Sequence, residues 1–135
     1  MRFRLVQVED ADEMRPIHEL AFPGDFWPGD DHTFWVAYRG KDVAGFCSAI
    51  HRPLKNYVFL SRAAVAKFAQ GQGLQRRMIR HRVEWAAEHG VKEVVTYTSP
   101  KNYPSITNLL RCGFQFYIPD DPYAGPTFHY FRMIL

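Results

Sequence analysis

The segment Val65-Ala66-Lys67-Phe68-Ala69-Gln70-Gly71-Gln72-Gly73-Leu74-Gln75-Arg76 holds the residue types and spacing best suited to chemistry. A strand-like run ends there, two glycines follow, and a run of good helix formers begins. The first amides of a helix have no intrahelical acceptor and the helix dipole adds partial positive charge, so such a turn suits a phosphate or diphosphate. Glycine supports positive φ and lets the backbone come close to an anion. Arg76 and Arg77 stand in the first turn, where cations oppose the dipole, and a bound anion would offset that opposition. The plainer alternative is a tight strand-to-helix bend that needs one glycine. The spacing is neither GxxxxGK(S/T) nor GxGxxG, because no Gly-Lys-Ser/Thr follows and Leu74-Gln75-Arg76 holds no third glycine.

Two further groups have chemical potential. Downstream, Asn102-Tyr103-Pro104-Ser105-Ile106 leads through Leu109 to Gly113-Phe114. Upstream, residues 22–32 read FPGDFWPGDDH, a loop composition in which Asp30, Asp31 and His32 could do acid–base work, against the plainer reading of solvated turn residues. The isolated histidines His18, His51 and His129 have no partners at metal-ligand spacing, so no metal site is expected. Cys112 has no base at fixed spacing and reads as a packed helix residue.

The elements that must position these groups follow from periodicity. Residues 3–8 form a first strand, and Asp10 with Glu13 three residues on is a capping-box-like helix start. Met14, Ile17, Leu20 and Ala21 recur at helical spacing, with Pro16 interrupting or kinking that helix. Residues 34–38 and 43–50 form a hairpin around Arg39-Gly40-Lys41-Asp42, and residues 57–66 form a fourth strand. A long helix covers 71–89, with Gly90 at its C-terminal cap. A strand over 92–98, a helix over 104–112, a strand over 114–118 and a last strand over 127–135 complete the order β-α-β-β-β-α-β-α-β-β. This predicts an α/β (α+β) domain, one unit over residues 1–135, with helices covering a largely antiparallel sheet of about seven strands. Leu74, Met78 and Trp85 make a core stripe, and Arg82 and Gln75 fall close to it without an evident reason.

In this setting Gln70-Gly71-Gln72-Gly73-Leu74-Gln75 resembles the (Arg/Gln)-x-x-Gly-x-(Gly/Ala) pyrophosphate loop of the GNAT N-acetyltransferase superfamily, departing where Gln75 replaces a small residue. The Asn102 to Phe114 segment is similar to that family's second signature, and the two occur in the family's order with residues 94–98 between them. The resemblance implies acetyl-CoA as cosubstrate, with the fourth and fifth strands splayed around the pantetheine arm. Backbone around Ala63 and Val65 would hold the arm, and the Val65 amide would polarise the thioester carbonyl. Amides of Gln70, Gly71, Gln72, Gly73, Leu74 and Gln75, with Arg76, would hold the diphosphate, and Asn102 and Ser105 would meet the pantetheine end. Where many relatives carry a Tyr as general acid, this chain has Leu109, which leaves Tyr103, Tyr123 or a water as the acid, or a protein without activity. Many relatives carry a glutamate base on the fourth strand, which here has no carboxylate, and Asp30, Asp31 and His32 of the first loop are the candidates in its place, with Asp31 put first.

Composition bounds the partners. The chain of 135 residues is 47% hydrophobic and 23% charged, a globular balance with enough length to bury a core without staples. Cys47 and Cys112 form no CxxC pattern, which argues for a reducing compartment. No run of about 18 apolar residues or signal-like leader occurs, so a cytoplasmic protein with no membrane partner is expected. The formal charge of +3 does not name a partner, and Arg76, Arg77, Arg80 and Arg82 lack the interleaved aromatics of a nucleic-acid surface. The expected activity is N-acetyl transfer to a small-molecule or peptide amine, with a homodimer open. Asp25, Asp30, Asp31, Asp120 and Asp121 suggest a cationic acceptor, and Phe26, Trp27 and Tyr123 a surface for its apolar part. The alternative is a non-catalytic acyl-CoA-binding or interaction module of the same fold.

Overall fold

The computed structural model describes residues 2–25 and 31–135. Its strands are β1 (Arg4–Gln7), β2 (His32–Arg39), β3 (Asp42–Arg52), β4 (Tyr57–Val65), β5 (Glu93–Thr98), β6 (Gln115–Tyr117) and β7 (His129–Ile134). Its α-helices are α1 (Arg15–Ala21), α2 (Leu74–Glu88) and α3 (Tyr103–Arg111). The strands form one seven-stranded sheet in the order β1-β2-β3-β4-β5-β7-β6. Every neighbouring pair is antiparallel except β4 and β5, which are parallel. The α/β layout expected from periodicity is the one found.

Two cores follow from the period-2 alternation of the strands. In β2, Trp35 and Ala37 join Cys47, Val58, Leu60, Val94 and Phe131 in the layer under α2 and α3, to which α2 contributes Leu74, Met78, Ile79 and Ala86. Phe34 and Val36 point the other way, onto Met14 and Phe46 beside α1. Burying each of the larger of these side chains contributes about 1.5–3 kcal/mol, which is what holds both helical layers on the sheet.

Three local expectations need correction. Residues 71–73 are not helical: α2 starts at Leu74, because Gly71 and Gly73 sit at φ 76° and 80°, in the left-handed region that ends any α-helix. Pro16 does not kink α1 but lies in its first turn, where no amide proton is needed, after a 3-10 turn over Ala11–Met14. Asp10 does cap that turn, its side chain accepting from the Asp12 amide at 2.9 Å, one residue short of the capping-box position.

Candidate functional site

β4 is nine residues long, but only Tyr57, Val58 and Phe59 pair with β5, opposite Glu93, Val94 and Val95. At the next position the Thr96 hydroxyl donates to the Leu60 carbonyl at 2.9 Å, a side chain standing in for the ladder bond at the fork. Beyond it the two strands part. On its other edge β4 stays paired with β3, with a register shift between Cys47 and Ala49. There the buried Ser48 hydroxyl accepts from the Arg62 amide at 3.0 Å and meets the Ser61 hydroxyl at 2.7 Å. Arg82, 3% exposed, donates to the Ser48 carbonyl and to the Met78 carbonyl, each at 3.1 Å. This explains a charged residue on the core stripe of α2: its guanidinium ties the helix to the irregular part of β3.

The space between the parted strands is a cavity of about 530 Å³. Phe22, His32, Ile50, Phe59, Arg62 and Tyr97 are among its walls, with Asn102, Ser105 and Leu109 on the helical side. A second cavity of about 560 Å³ lies at the start of α2, against Ala64, Val65, Gln70, Gly71, Gly73, Leu74 and Arg76. Ala63 and Gln75 line both. No carboxylate lines either cavity among the described residues, while Arg62, Arg76 and Arg82 do.

The start of α2 has no side-chain cap and no acid in its first turn. Its first helical hydrogen bond runs from the Arg77 amide to the Gly73 carbonyl, so the amides of the first turn lack intrahelical acceptors. The Gln70 side chain donates to the Val65 carbonyl at 3.3 Å and that of Gln72 to the Phe68 carbonyl at 3.1 Å, pinning the loop before the helix. Arg77 is tied to the Phe3 carbonyl, which leaves Arg76 at the cavity. Gln75 takes both ends of its amide to α3, donating to the Ser105 hydroxyl and accepting from the Asn108 amide, each at 3.0 Å. Asn102 caps α3 by accepting from the Ser105 amide at 3.3 Å.

On the far side of the sheet from α2, Asp31 and His32 meet: His32 Nδ1 lies 3.0 Å from Asp31 Oδ1, and Arg52 donates to Asp31 Oδ2 at 3.3 Å. Burial first, then Arg62 and Arg52, hold the His32 pKa below its ordinary 6.5 against the opposing pull of Asp31. Burial works to raise Asp31, but the His32 hydrogen bond, the His32 charge and Arg52 outweigh it and hold its carboxyl below the ordinary value. Asp25 pairs with Arg62 at 3.0 Å, and the Arg62 guanidinium lies 5.0 Å above the Phe22 ring.

Of the sequence candidates, Ala63, Gln75, Asn102 and Ser105 line the fork, and Ala63, Val65, Gln70, Gly71, Gly73, Leu74, Gln75 and Arg76 line the space at the helix start. Gln72 and Tyr103 line neither, and Tyr103 is 68% exposed. Tyr123 stands one ring behind the fork, 6.0 Å from Phe59 and 5.9 Å from Tyr97, and burial followed by Tyr117 pushes its hydroxyl far up. Phe26, Trp27 and Asp30 lie outside the described residues. The two described loop acids spend their charge on arginines and the His32 ring, while Asp120 and Asp121 are exposed, so the cationic-acceptor expectation gains no support from them. Arg82 is inside and Arg77 is tied down, which breaks up the basic helix face. Burial raises the Cys112 thiol, the opposite of a nucleophile's need. Sequence reasoning missed Ser48, Thr96 and Asn108, because single hydroxyls and amides carry no spacing signal.

No helix among the described residues is long and apolar enough to cross a membrane. The chain is 32% identical over 89 residues to N-acetyltransferase 8F1 of Rattus norvegicus, a match covering 62% of this chain and 39% of that protein. It therefore spans well under half of that relative's length. In structure it is similar to an IAA acetyltransferase from Bacillus cereus ATCC 14579, with TM-score 0.81, 19% identity, and 99% and 100% of the two chains covered. It is likewise similar to a Bacillus subtilis acetyltransferase in complex with CoA, with TM-score 0.79, 19% identity and 99% of each chain covered. The family model for the acetyltransferase (GNAT) family matches residues 4–114. With the forked sheet, the open helix start and this match in agreement, the chain belongs to the GNAT acetyltransferase family.

Proposed function

We propose that the protein transfers an acetyl group from acetyl-CoA to a primary amine by direct attack, without a covalent acyl-enzyme. One observation carries this reading: the half of β4 that has left β5 leads through residues 66–73 to an acid-free helix start, and the cavities beside them share Ala63 and Gln75 as walls. A long molecule with an anionic end and a neutral arm fits that path. Bound there, acetyl-CoA supplies an acetyl thioester, an acyl group already activated toward amines.

The residues divide the work by position. The amides of Gln70 to Gln75 and the Arg76 guanidinium would hold the diphosphate, with Gly71 and Gly73 supplying the positive φ that the loop needs. Backbone at Ala63 and Val65 would pair with the arm, because β4 has no strand on that side. Val65 lines only the space at the helix start, and its register partners lie five positions along the sheet from His32, so its amide would meet the arm rather than the thioester. The Ala63 amide, at the wall shared with the fork, would face the thioester carbonyl, where a fixed donor stabilises the oxyanion that develops. Asn102 uses Oδ1 for its cap, which leaves its Nδ2 for the arm. Phe59 and Tyr97, whose ring centroids lie 5.7 Å apart, offer an apolar platform to the amine's body. Holding donor and amine together supplies much of the acceleration. The leaving thiolate takes its proton from solvent, since Leu109 is apolar, Tyr103 lies outside both cavities and Tyr123 holds its proton too tightly to be an effective acid.

Calorimetric titration with acetyl-CoA, followed by thiol release across a panel of amines, tests the reading. Gly73→Asp puts a negative charge at the diphosphate site and is expected to weaken acetyl-CoA binding by at least about tenfold, roughly 1.4 kcal/mol. Circular dichroism checks that the variant folds. Unchanged affinity in a folded Gly73→Asp protein would refute the assignment. Saturable binding without thiol release for any amine would leave the non-catalytic alternative.

A further inference from the structure

We infer that His32 is the base that takes the proton from the attacking amine, with Asp31 as the positioning residue that fixes which ring nitrogen is available; this deepens the acetyl-transfer reading and rests on it. His32 opens β2 opposite Ile50, and its ring stacks on Phe34 at 6.0 Å and 26°. Only 9% of its side chain is exposed. It lines the fork together with Phe22, Phe59 and Arg62, and it also lines a separate outward recess of about 370 Å³ with Gln7, Glu9 and Asp10. A group between an acceptor space and solvent is placed to take a proton on one side and release it on the other.

The neighbours decide the tautomer. An ionised carboxylate only accepts hydrogen bonds, so the contact to Asp31 puts the hydrogen on Nδ1 and leaves the lone pair on Nε2. Arg52 holds the other Asp31 oxygen and keeps the carboxylate in place. The charged groups acting on the imidazole are Asp31 beside it, Arg52 from β3, and Arg62 from β4. His18, from α1, is coupled to it electrostatically. Burial and the two arginines favour the neutral ring, which is the form a base needs near pH 7. Asp31 is itself a poorer base, since its carboxyl is held below the ordinary range. Among the described residues lining the fork, the other side chains are apolar, hydroxyl, amide or guanidinium groups, none of which is a base at neutral pH.

An alkylammonium gives one proton to Nε2, and the freed nitrogen lone pair forms the C–N bond at the thioester carbonyl carbon. The C–S bond breaks with its electron pair going to sulfur. Nitrogen loses a second proton to solvent, and the sulfur takes one up from solvent to become the thiol. His32 then releases its proton to solvent. Ammonium and acetyl-CoA have become amide, CoA thiol and one proton.

The test is the pH dependence of kcat/KM, read as CoA thiol release, for the best acceptor among phenethylamine, spermidine and phenylalanine. Wild-type activity is expected to fall as pH drops through a limb set below 6.5. His32→Gln is expected to lower kcat/KM by about 10²–10⁴-fold and abolish that limb while acetyl-CoA affinity by calorimetry stays unchanged. Asp31→Asn is expected to move the limb to lower pH, because it removes the charge that opposes the shift. A purely structural role would not move the limb. If folded His32→Gln keeps wild-type kcat/KM, or if Asp31→Asn leaves the limb in place, the assignment is overturned while acetyl transfer stands. If wild-type protein releases thiol with none of the amines, both readings fall.

Discussion

Gln75 occupies the position where the family loop has a small residue, and its amide is fully used by α3. Its two hydrogen bonds make it the partition between the fork and the helix start, so its size does not crowd the loop but joins two helices across it. Each such bond contributes about 0.5–1.5 kcal/mol net, so Gln75→Ala is expected to destabilise the fold by roughly 1–2 kcal/mol in urea titrations. The same substitution would merge the two spaces. Undiminished stability would mean that water replaces both bonds without cost. Arg82 belongs to the same scale: a buried cation is acceptable here because two backbone carbonyls face it.

The fork is a property of β3 and β4 together. Gly45 has no positive φ, yet a Cβ there would stand 2.6 Å from the Ala64 carbonyl oxygen. That contact is with backbone, so the strands themselves would have to separate. Gly45→Ala is therefore expected to cost about 1–3 kcal/mol, measured as a lowered thermal midpoint, and to weaken acetyl-CoA binding because Ala63 and Val65 would move with β4. An unchanged midpoint would show that the pair relaxes freely. By contrast, a Cβ at Gly71 would meet nothing within 4 Å, so its requirement is conformational. The two glycines thus answer to different physics, one to close approach and the other to φ.

Stability over the whole molecule should follow its buried histidines. His18 is 2% exposed, and burial followed by Arg62 lowers its pKa; His32 is lowered as well. With native values below 6.5, the unfolded chain binds more protons near that pH. The sign is then fixed: the contribution is complete above about 6.5 and is lost as pH falls through the native values. Denaturant titrations are expected to show lower stability at pH 5.5 than at pH 7.5, with a smaller difference in His18→Leu. Equal stabilities at the two pH values would contradict the shifts.

By itself the sequence determined the element order and the anion-ready turn, because hydrophobic period, glycine placement and helix-end chemistry are local. Alternation in residues 34–38 and 43–50 was enough to find the hairpin, and Gly71 with Gly73 marked the start of the long helix, though not that both glycines lie outside it. Only the tertiary structure decided where β4 leaves β5, that Ser48, Thr96 and Arg82 support that parting, and that His32 lines the fork while Asp31, which lines neither cavity, holds its ring. Those facts depend on contacts between residues far apart in the chain, or on the direction a strand's side chain takes once its register is set. Neither leaves a trace in spacing.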